Sequence, residues 1–178
     1  MSFNNRYLGR KVKKKVKWLQ VSVIIILLYV GFNRQPVYLS SLQQKDSDVA
    51  EIRRVQTFLR EHSSPLQENA KDFVMAEKTY KVPAKLLVAI AGVESGFGKN
   101  PPSCAFYNPF GYSSSTSPCG WWRFQSYHDA IYKVAQTIST DRAYQGYQRT
   151  GSILELAKVY TAIPEDWAGK VEWFMDKI

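Results

Sequence analysis

The sequence predicts an all-α domain with at most one small β-hairpin, preceded by an N-terminal transmembrane helix. Apolar residues recur at helical spacing through much of the chain after residue 46. Glycine, proline and serine are concentrated in residues 97–125, and a single long apolar run lies near the N-terminus. We therefore divide the chain into a cytoplasmic basic segment (1–17), a transmembrane signal anchor (18–32), a linker (33–45) and a compact helical domain (46–178).

The predicted anchor runs from Trp18 to Phe32, and only Gln20 and Ser22 interrupt its apolar character. It is shorter than the stretch of about 20 residues that crosses a bilayer comfortably, so a cleaved signal peptide is the alternative. No small-x-small cleavage site follows the run, which favours a retained anchor. A buried core helix would not explain the cations at one end. Because positive flanks stay in the cytoplasm, we expect the rest of the chain to be exported.

The formal net charge of +9 is concentrated at the N-terminus. Residues 1–34 contain eight of the 24 Lys and Arg residues and no acid, which leaves 16 cations against 15 acids in the remainder. Nucleic-acid binding requires a basic face on the folded part, and the sequence shows none. The high isoelectric point therefore reflects the cations of residues 1–34, which flank the predicted anchor, and it gives no support to a nucleic-acid partner.

The predicted helices have recognisable ends. Ser63 and Pro65 separate the first two helices, while Pro83 suits the first turn of the third and Gly96 suits its C-terminal end. Ser126, followed three residues later by an acid, opens the fourth helix as a variant of the capping box. The predicted helical segments are 46–62, 66–80, 83–95, 126–142, 152–160 and 165–178.

The loop between the third and fourth helices contains both cysteines of the chain, Cys104 and Cys119. In an oxidising compartment we expect them to form a disulfide, which would close a loop of about 15 residues and contribute roughly 3 kcal/mol. Two free thiols are the alternative, and zinc binding lacks ligands because no histidine lies beside them. Residues 121–124 are predicted to form a short strand, one half of a hairpin.

Glu94 is the strongest candidate for a catalytic residue. It is the only acid between Glu77 and Asp129, and it lies near the end of an apolar helix. A carboxyl group held against apolar surface resists ionisation, so its pKa rises and it can act as a general acid. The partial negative charge of a helix C-terminus has the same effect. A surface glutamate near a helix end is the alternative.

Three motifs carry a resemblance to known enzymes. Val93-Glu-Ser-Gly-Phe-Gly98, Tyr107-Asn-Pro-Phe-Gly-Tyr112 and Arg123-Phe-Gln-Ser-Tyr-His-Asp-Ala-Ile131 occur in that order. Over residues 66–178 they resemble the lysozyme-like superfamily, both its soluble lytic transglycosylases and the glucosaminidases of bacterial cell-wall turnover. In both groups a Glu-Ser dipeptide ends a helix and its glutamate is the catalytic acid. The resemblance implies a lysozyme-like, glycan-cleaving domain that acts on the β-1,4-linked amino sugars of peptidoglycan.

The resemblance also implies roles for individual residues. Glu94 would protonate the scissile oxygen, Ser95 would orient it or touch the glycan, and Asn108 would bind an N-acetyl group. Phe110 and Gly111 would shape the cleft.

Further aromatic residues are candidates for stacking on sugar rings. Tyr160 resembles the tyrosine that faces the catalytic glutamate in transglycosylases. Trp167 and Trp173 are assigned to the hydrophobic core. The stacking candidates are Tyr107, Tyr112, Trp121, Trp122, Phe124 and Tyr127.

No second catalytic acid is evident. Residues 95–128 contain no Asp or Glu, and the nearest candidate, Asp129, is explained by helix capping. This favours a mechanism in which the N-acetyl or 6-hydroxyl group of the substrate acts as the nucleophile, and the 6-hydroxyl would give the anhydro-sugar product of a lytic transglycosylase. A hydrolase of the same fold and an inactive wall-binding domain are the alternatives. His62 and His128 have no partners at metal-binding spacing, so neither a metal nor a cofactor is expected.

Overall fold

A computed structural model describes residues 40–178, and this part of the chain is all-α. Short 3-10 helices cover Gln67–Asn69 and Arg142–Tyr144. The α-helices are α1 (from residue 40, where the description begins, to residue 61), α2 (Ala70–Tyr80), α3 (Ala84–Ser95), α4 (Tyr127–Thr140), α5 (Gln145–Thr150), α6 (Ile153–Tyr160) and α7 (Pro164–Met175).

The chain divides into two compact units, Met1–Ser47 and Asp48–Ile178. In the first unit only residues 40–47 are described, and they form an exposed helical segment. Within residues 40–178, no helix combines the length and apolar character needed to cross a membrane. The predicted basic segment and signal anchor lie outside the described residues.

The core of the second unit is built around α3. Leu86, Leu87 and Ile90 have no exposed surface. Helix α3 contacts α2 and α7, while α6 packs on α7 and α4 packs on α2. Since α3 is surrounded by other helices, its C-terminal end is held in a fixed position.

Several predicted helix ends are confirmed. Gly96 ends α3 in a left-handed conformation (φ 57°), and the Phe97 N–H reaches back to the carbonyl oxygen of Ala91 at 2.9 Å. At the start of α4, the Ser126 Oγ accepts a hydrogen bond from the Asp129 N–H at 3.1 Å. Local side-chain chemistry therefore fixes both helices that border the loop of residues 97–125.

The predicted hairpin is reduced to one isolated antiparallel bridge between Ser113 and Trp121, and residues 40–178 contain no strand. Helix α4 ends at Thr140, slightly earlier than predicted, because Asp141 is extended and its carboxylate caps the Ala143 N–H at 2.9 Å. This break creates the 3-10 turn and α5, neither of which was predicted.

Two further predictions about side chains have clear outcomes. The disulfide between Cys104 and Cys119 is confirmed, with a Cα–Cα distance of 6.5 Å. Trp167 is 5% exposed, in agreement with its assignment to the core. The same assignment is wrong for Trp173, which is 58% exposed because it lies on the outer face of α7.

Candidate active site

Glu94 lies in the last turn of α3 and is partly exposed. Its Oε1 accepts a hydrogen bond of 2.7 Å from the indole Nε1–H of Trp167, a residue of α7. The packing of α3 on α7 therefore brings together two side chains that are 73 positions apart in the sequence. The carboxyl group is held on one side by the protein and keeps some contact with solvent.

Burial raises the pKa of Glu94 above its ordinary value, and the hydrogen bond from Trp167 opposes this with a smaller lowering effect. Because Oε1 accepts from the indole, the proton of the neutral carboxyl is best placed on Oε2. The arrangement thus favours a protonated acid with one defined donor atom, as general acid catalysis requires.

Gly111 brings the backbone of the loop directly against this donor atom. Its φ of 58° lies in the left-handed region, which glycine adopts without strain. A Cβ atom at this position would lie 2.8 Å from Oε2 of Glu94. Glycine is therefore required both by the backbone conformation and by the close approach to the acid.

The loop is held in this position by the side chain of Asn108, which has no exposed surface. Its Nδ2 donates to the carbonyl oxygens of Tyr112 at 2.8 Å and Trp122 at 3.0 Å, and its Oδ1 accepts from the Tyr112 N–H at 2.9 Å. All the hydrogen-bonding groups of the amide are used within the protein. Asn108 therefore fixes the turn that contains Gly111.

Ser95 connects α3 to the same loop. Its Oγ lies 2.7 Å from the carbonyl oxygen of Pro109 and accepts from the Gly98 N–H at 2.8 Å. Ser95 is 3% exposed, and Phe110 is fully buried in the core. All three side chains, Ser95, Asn108 and Phe110, are buried and support the loop. Their predicted contacts with the glycan stay predictions.

The predicted stacking residues differ in exposure. Tyr107 is 46% exposed, and its ring meets that of Tyr127 edge-on at 5.2 Å. Phe124 is only 7% exposed, and the Tyr112 hydroxyl is 3.1 Å from Oγ1 of Thr137. Tyr107 is therefore the ring most available to a sugar, whereas Tyr112 and Phe124 mainly support the loop.

Tyr160, at the end of α6, stacks on Trp167 with ring centroids 4.9 Å apart. Burial raises the pKa of its hydroxyl well above the ordinary value, and the neighbouring Tyr144 and Glu94 raise that pKa further. Burial is also the main reason that the pKa of Tyr144, which is hydrogen-bonded to Tyr160, rises to about 12. These shifts favour the protonated form of both phenols at neutral pH, and Tyr160 lies near enough to Glu94 for the carboxylate to contribute to its raised pKa.

Sequence reasoning missed Trp167 and Tyr144 as parts of the site. A buried indole N–H requires an acceptor, and the isolated Glu94 was the natural candidate. Tyr144 gave no comparable signal, because it lies in the 3-10 turn that the sequence did not predict.

Residues 70–178 match the model of the glucosaminidase family, described as mannosyl-glycoprotein endo-β-N-acetylglucosaminidase. The match covers more than half of the chain and includes Glu94, Gly111, Tyr160 and Trp167. No curated protein matches the chain.

Proposed function

Because the chain belongs to the glucosaminidase family and therefore cleaves glycosidic bonds, we propose that it cuts the glycan strands of peptidoglycan with Glu94 as the general acid. One observation carries this proposal: Glu94 is partly buried, has a raised pKa, and accepts a hydrogen bond on Oε1 from Trp167. Oε2 is then the oxygen that donates a proton to the substrate. The family supports an amino-sugar substrate.

In the first step Glu94 gives its proton to the glycosidic oxygen. The C1–O bond breaks, its electron pair stays on the departing oxygen, and positive charge develops at C1 of the sugar. Glu94 becomes a carboxylate beside this charge and stabilises it. The hydrogen bond from Trp167, which strengthens as negative charge develops on the carboxyl, supports the same change.

We propose that the substrate provides the nucleophile for the second step. Burial and the hydrogen bond from Trp167 account for the shift in the pKa of Glu94, and neither of them involves a second carboxylate. Asp129, the nearest acid in the sequence after Glu94, lies exposed in the first turn of α4, and the next acid, Asp141, caps the turn after α4. Attack of the 6-hydroxyl oxygen on C1 would return a proton to Glu94 and form an anhydro sugar, which is the lytic transglycosylase reaction.

Hydrolysis is the second candidate, because the description of the matching family names an endo-β-N-acetylglucosaminidase. In that reaction a water molecule attacks C1 and gives its proton to Glu94. The products then carry reducing ends. The two reactions share the first step and differ in the nucleophile.

We further propose that the enzyme works outside the cytoplasmic membrane and is anchored there by residues 18–32. The cations before this apolar run favour an N-terminus inside the cell. The disulfide between Cys104 and Cys119 is suited to an oxidising compartment.

The test is to incubate the full chain in detergent micelles with purified peptidoglycan, alongside Glu94→Gln. Glutamine keeps the shape and an oxygen acceptor for Trp167 but has no acidic proton. We expect the variant to lose roughly 1000-fold in rate. Mass spectrometry of the products would show anhydro ends for a transglycosylase and reducing ends for a hydrolase. If both proteins bind the glycan and neither cleaves it, the chain is a wall-binding domain and the proposal is wrong.

A further inference from the structure

One exposed cation of the loop has no carboxylate partner. Arg123 forms no ion pair with any acid among residues 40–178, and residues 95–128 contain no Asp or Glu. Lys99, the other cation of this segment, donates its Nζ to the carbonyl oxygen of His62 at 3.0 Å. Arg123 is therefore the cation of this loop whose side chain has neither an acid nor a carbonyl partner among the hydrogen bonds and ion pairs of residues 40–178.

The guanidinium of Arg123 is held in a defined position. It lies 4.5 Å from the centroid of the Phe106 ring, a cation–π contact that leaves the N–H groups at its edge free to donate. The Phe124 N–H donates to the carbonyl oxygen of Phe106 at 3.0 Å, which ties the two segments together. The disulfide joins Cys104, two residues before Phe106, to Cys119, four residues before Arg123, so it restrains both segments. Less side-chain freedom is lost when such a cation binds a ligand.

A cavity of about 240 Å³ opens beside this cation. Trp122, which is 40% exposed, provides an aromatic surface at its side. The remaining lining residues are Ser114, Thr116, Ser117 and Pro118. The hydroxyl groups of Ser114 and Thr116 bond to each other, so the aromatic ring and the neighbouring guanidinium are the groups that suit a ligand with both apolar and carboxylate parts, such as a short peptide.

The cavity is connected to the catalytic acid through the loop itself. The Trp122 N–H donates to the carbonyl oxygen of Tyr112 at 2.9 Å, and the two rings are 6.1 Å apart. Tyr112 directly follows Gly111, which contacts Glu94. The same loop therefore borders both the catalytic acid and the cavity beside Arg123.

We propose that Arg123, Phe106 and Trp122 form a subsite that binds a carboxylate on the peptide stem of the glycan strand. This inference rests on the proposed action on peptidoglycan. N-acetylated amino sugars are neutral, whereas the peptide stems of peptidoglycan carry free carboxylates. Arg123 pairs with such a carboxylate, and Phe106 holds the guanidinium in place. The subsite thus selects strands that still bear peptides.

The test is calorimetric titration of the full chain in detergent micelles with a soluble stem peptide that has free carboxylates, and with the same peptide fully amidated. We expect Arg123→Gln to weaken binding of the free peptide about 5-fold, the range of a charge-assisted hydrogen bond at a solvated site. The amidated peptide should bind wild type as weakly as the free peptide binds the variant. Arg149→Gln removes another exposed cation, on α5, and should bind like wild type.

Arg123→Lys keeps the charge but loses the planar fork, and we expect it to bind between wild type and Arg123→Gln. Equal binding by wild type and Arg123→Gln, or equal loss for the free and amidated peptides, would overturn the inference. Competition by inorganic phosphate at the same concentration as the peptide would overturn it as well, since the site would then bind anions in general. Cleavage of peptidoglycan by wild type and Arg123→Gln, measured in parallel, tests the proposed function, so loss of peptide binding and loss of cleavage are distinguished.

Discussion

The helices and the loop of residues 97–125 are stabilised by different interactions. In the helices, residues such as Leu86 and Ile90 are fully buried, and apolar packing determines the structure. In the loop, Phe110 reaches the core, but the buried amide of Asn108 and the disulfide add polar and covalent restraints, and left-handed glycines shape the turns. Glu94 lies where the two regions meet. The helices set its pKa, and the loop determines what can approach its proton.

Removal of the disulfide tests this difference between the helices and the loop, and we expect it to have the largest effect. We expect the double variant Cys104→Ser/Cys119→Ser to lower the free energy of unfolding by about 3 kcal/mol, since the closed loop spans about 15 residues. The helical circular dichroism at 25 °C should not change, because the helices have their own core. Chemical denaturation of wild type in reductant is the control and should match the variant. An unchanged unfolding free energy would show that the loop is stable without its cross-link.

Gly111 tests whether the approach of the loop to the acid matters for activity. Gly111→Ala adds a methyl group that would lie 2.8 Å from Oε2 of Glu94. Since small displacements of catalytic groups are costly, we expect kcat to fall about 100-fold. The measurement is the initial rate on purified peptidoglycan.

Gly120→Ala is the matched control for Gly111→Ala. Gly120 also has a positive φ, 77°, but an added Cβ would meet nothing within 4 Å. It imposes a similar backbone strain on the same loop without touching the acid. If both variants lose activity equally, strain in the loop explains the loss and the contact with Glu94 does not.

Substitution of Trp167 tests how the helices control the orientation and the pKa of Glu94. Trp167→Phe removes the hydrogen bond to Oε1 while keeping an aromatic ring beside Tyr160. We expect kcat to fall about 10-fold because the carboxyl loses its fixed orientation. The pKa of Glu94 should also rise further, since this hydrogen bond lowers it.

The pH profile of Trp167→Phe distinguishes this role from a purely structural one. Activity requires protonated Glu94, so the alkaline limb of the profile should move to higher pH in the variant. Trp173→Phe changes an exposed tryptophan of the same helix and should leave the limb in place. A lower rate without movement of the limb would mean that Trp167 only supports the fold.

The smallest expected effect is on stability. Because the pKa of Glu94 is higher in the folded chain than its ordinary value of 4.5, the ionised carboxylate destabilises the fold at neutral pH. Glu94→Gln should therefore be slightly more stable at pH 7, by less than about 1 kcal/mol because the group is partly solvated. The difference should shrink as the pH falls towards 4.5 and disappear well below it, where the carboxyl is neutral in both states. Urea denaturation at both pH values measures it, and a less stable variant at pH 7 would contradict the sign.

The features that the sequence predicted correctly are those determined by residues close together in the chain. Gly96 and Ser126 mark helix ends through their immediate neighbours, and Glu94 is conspicuous as an isolated acid on an apolar helix. The pairing of Trp167 with Glu94 spans 73 positions and depends on how α3 packs on α7, which no local pattern encodes. The role of Asn108 could not be predicted for the same reason, because its hydrogen bond to the carbonyl oxygen of Trp122 forms only in the folded loop.

Catalysis by Glu94 requires that it hold its proton above the pH at which an ordinary glutamate loses it. A carbon-13 NMR titration of the Glu94 side-chain carboxyl, assigned by comparison with Glu94→Gln, measures this directly in the full chain. We predict a midpoint above 4.5 that moves higher still in Trp167→Phe. A midpoint at or below 4.5 would show that Glu94 is not held in the protonated form by its surroundings.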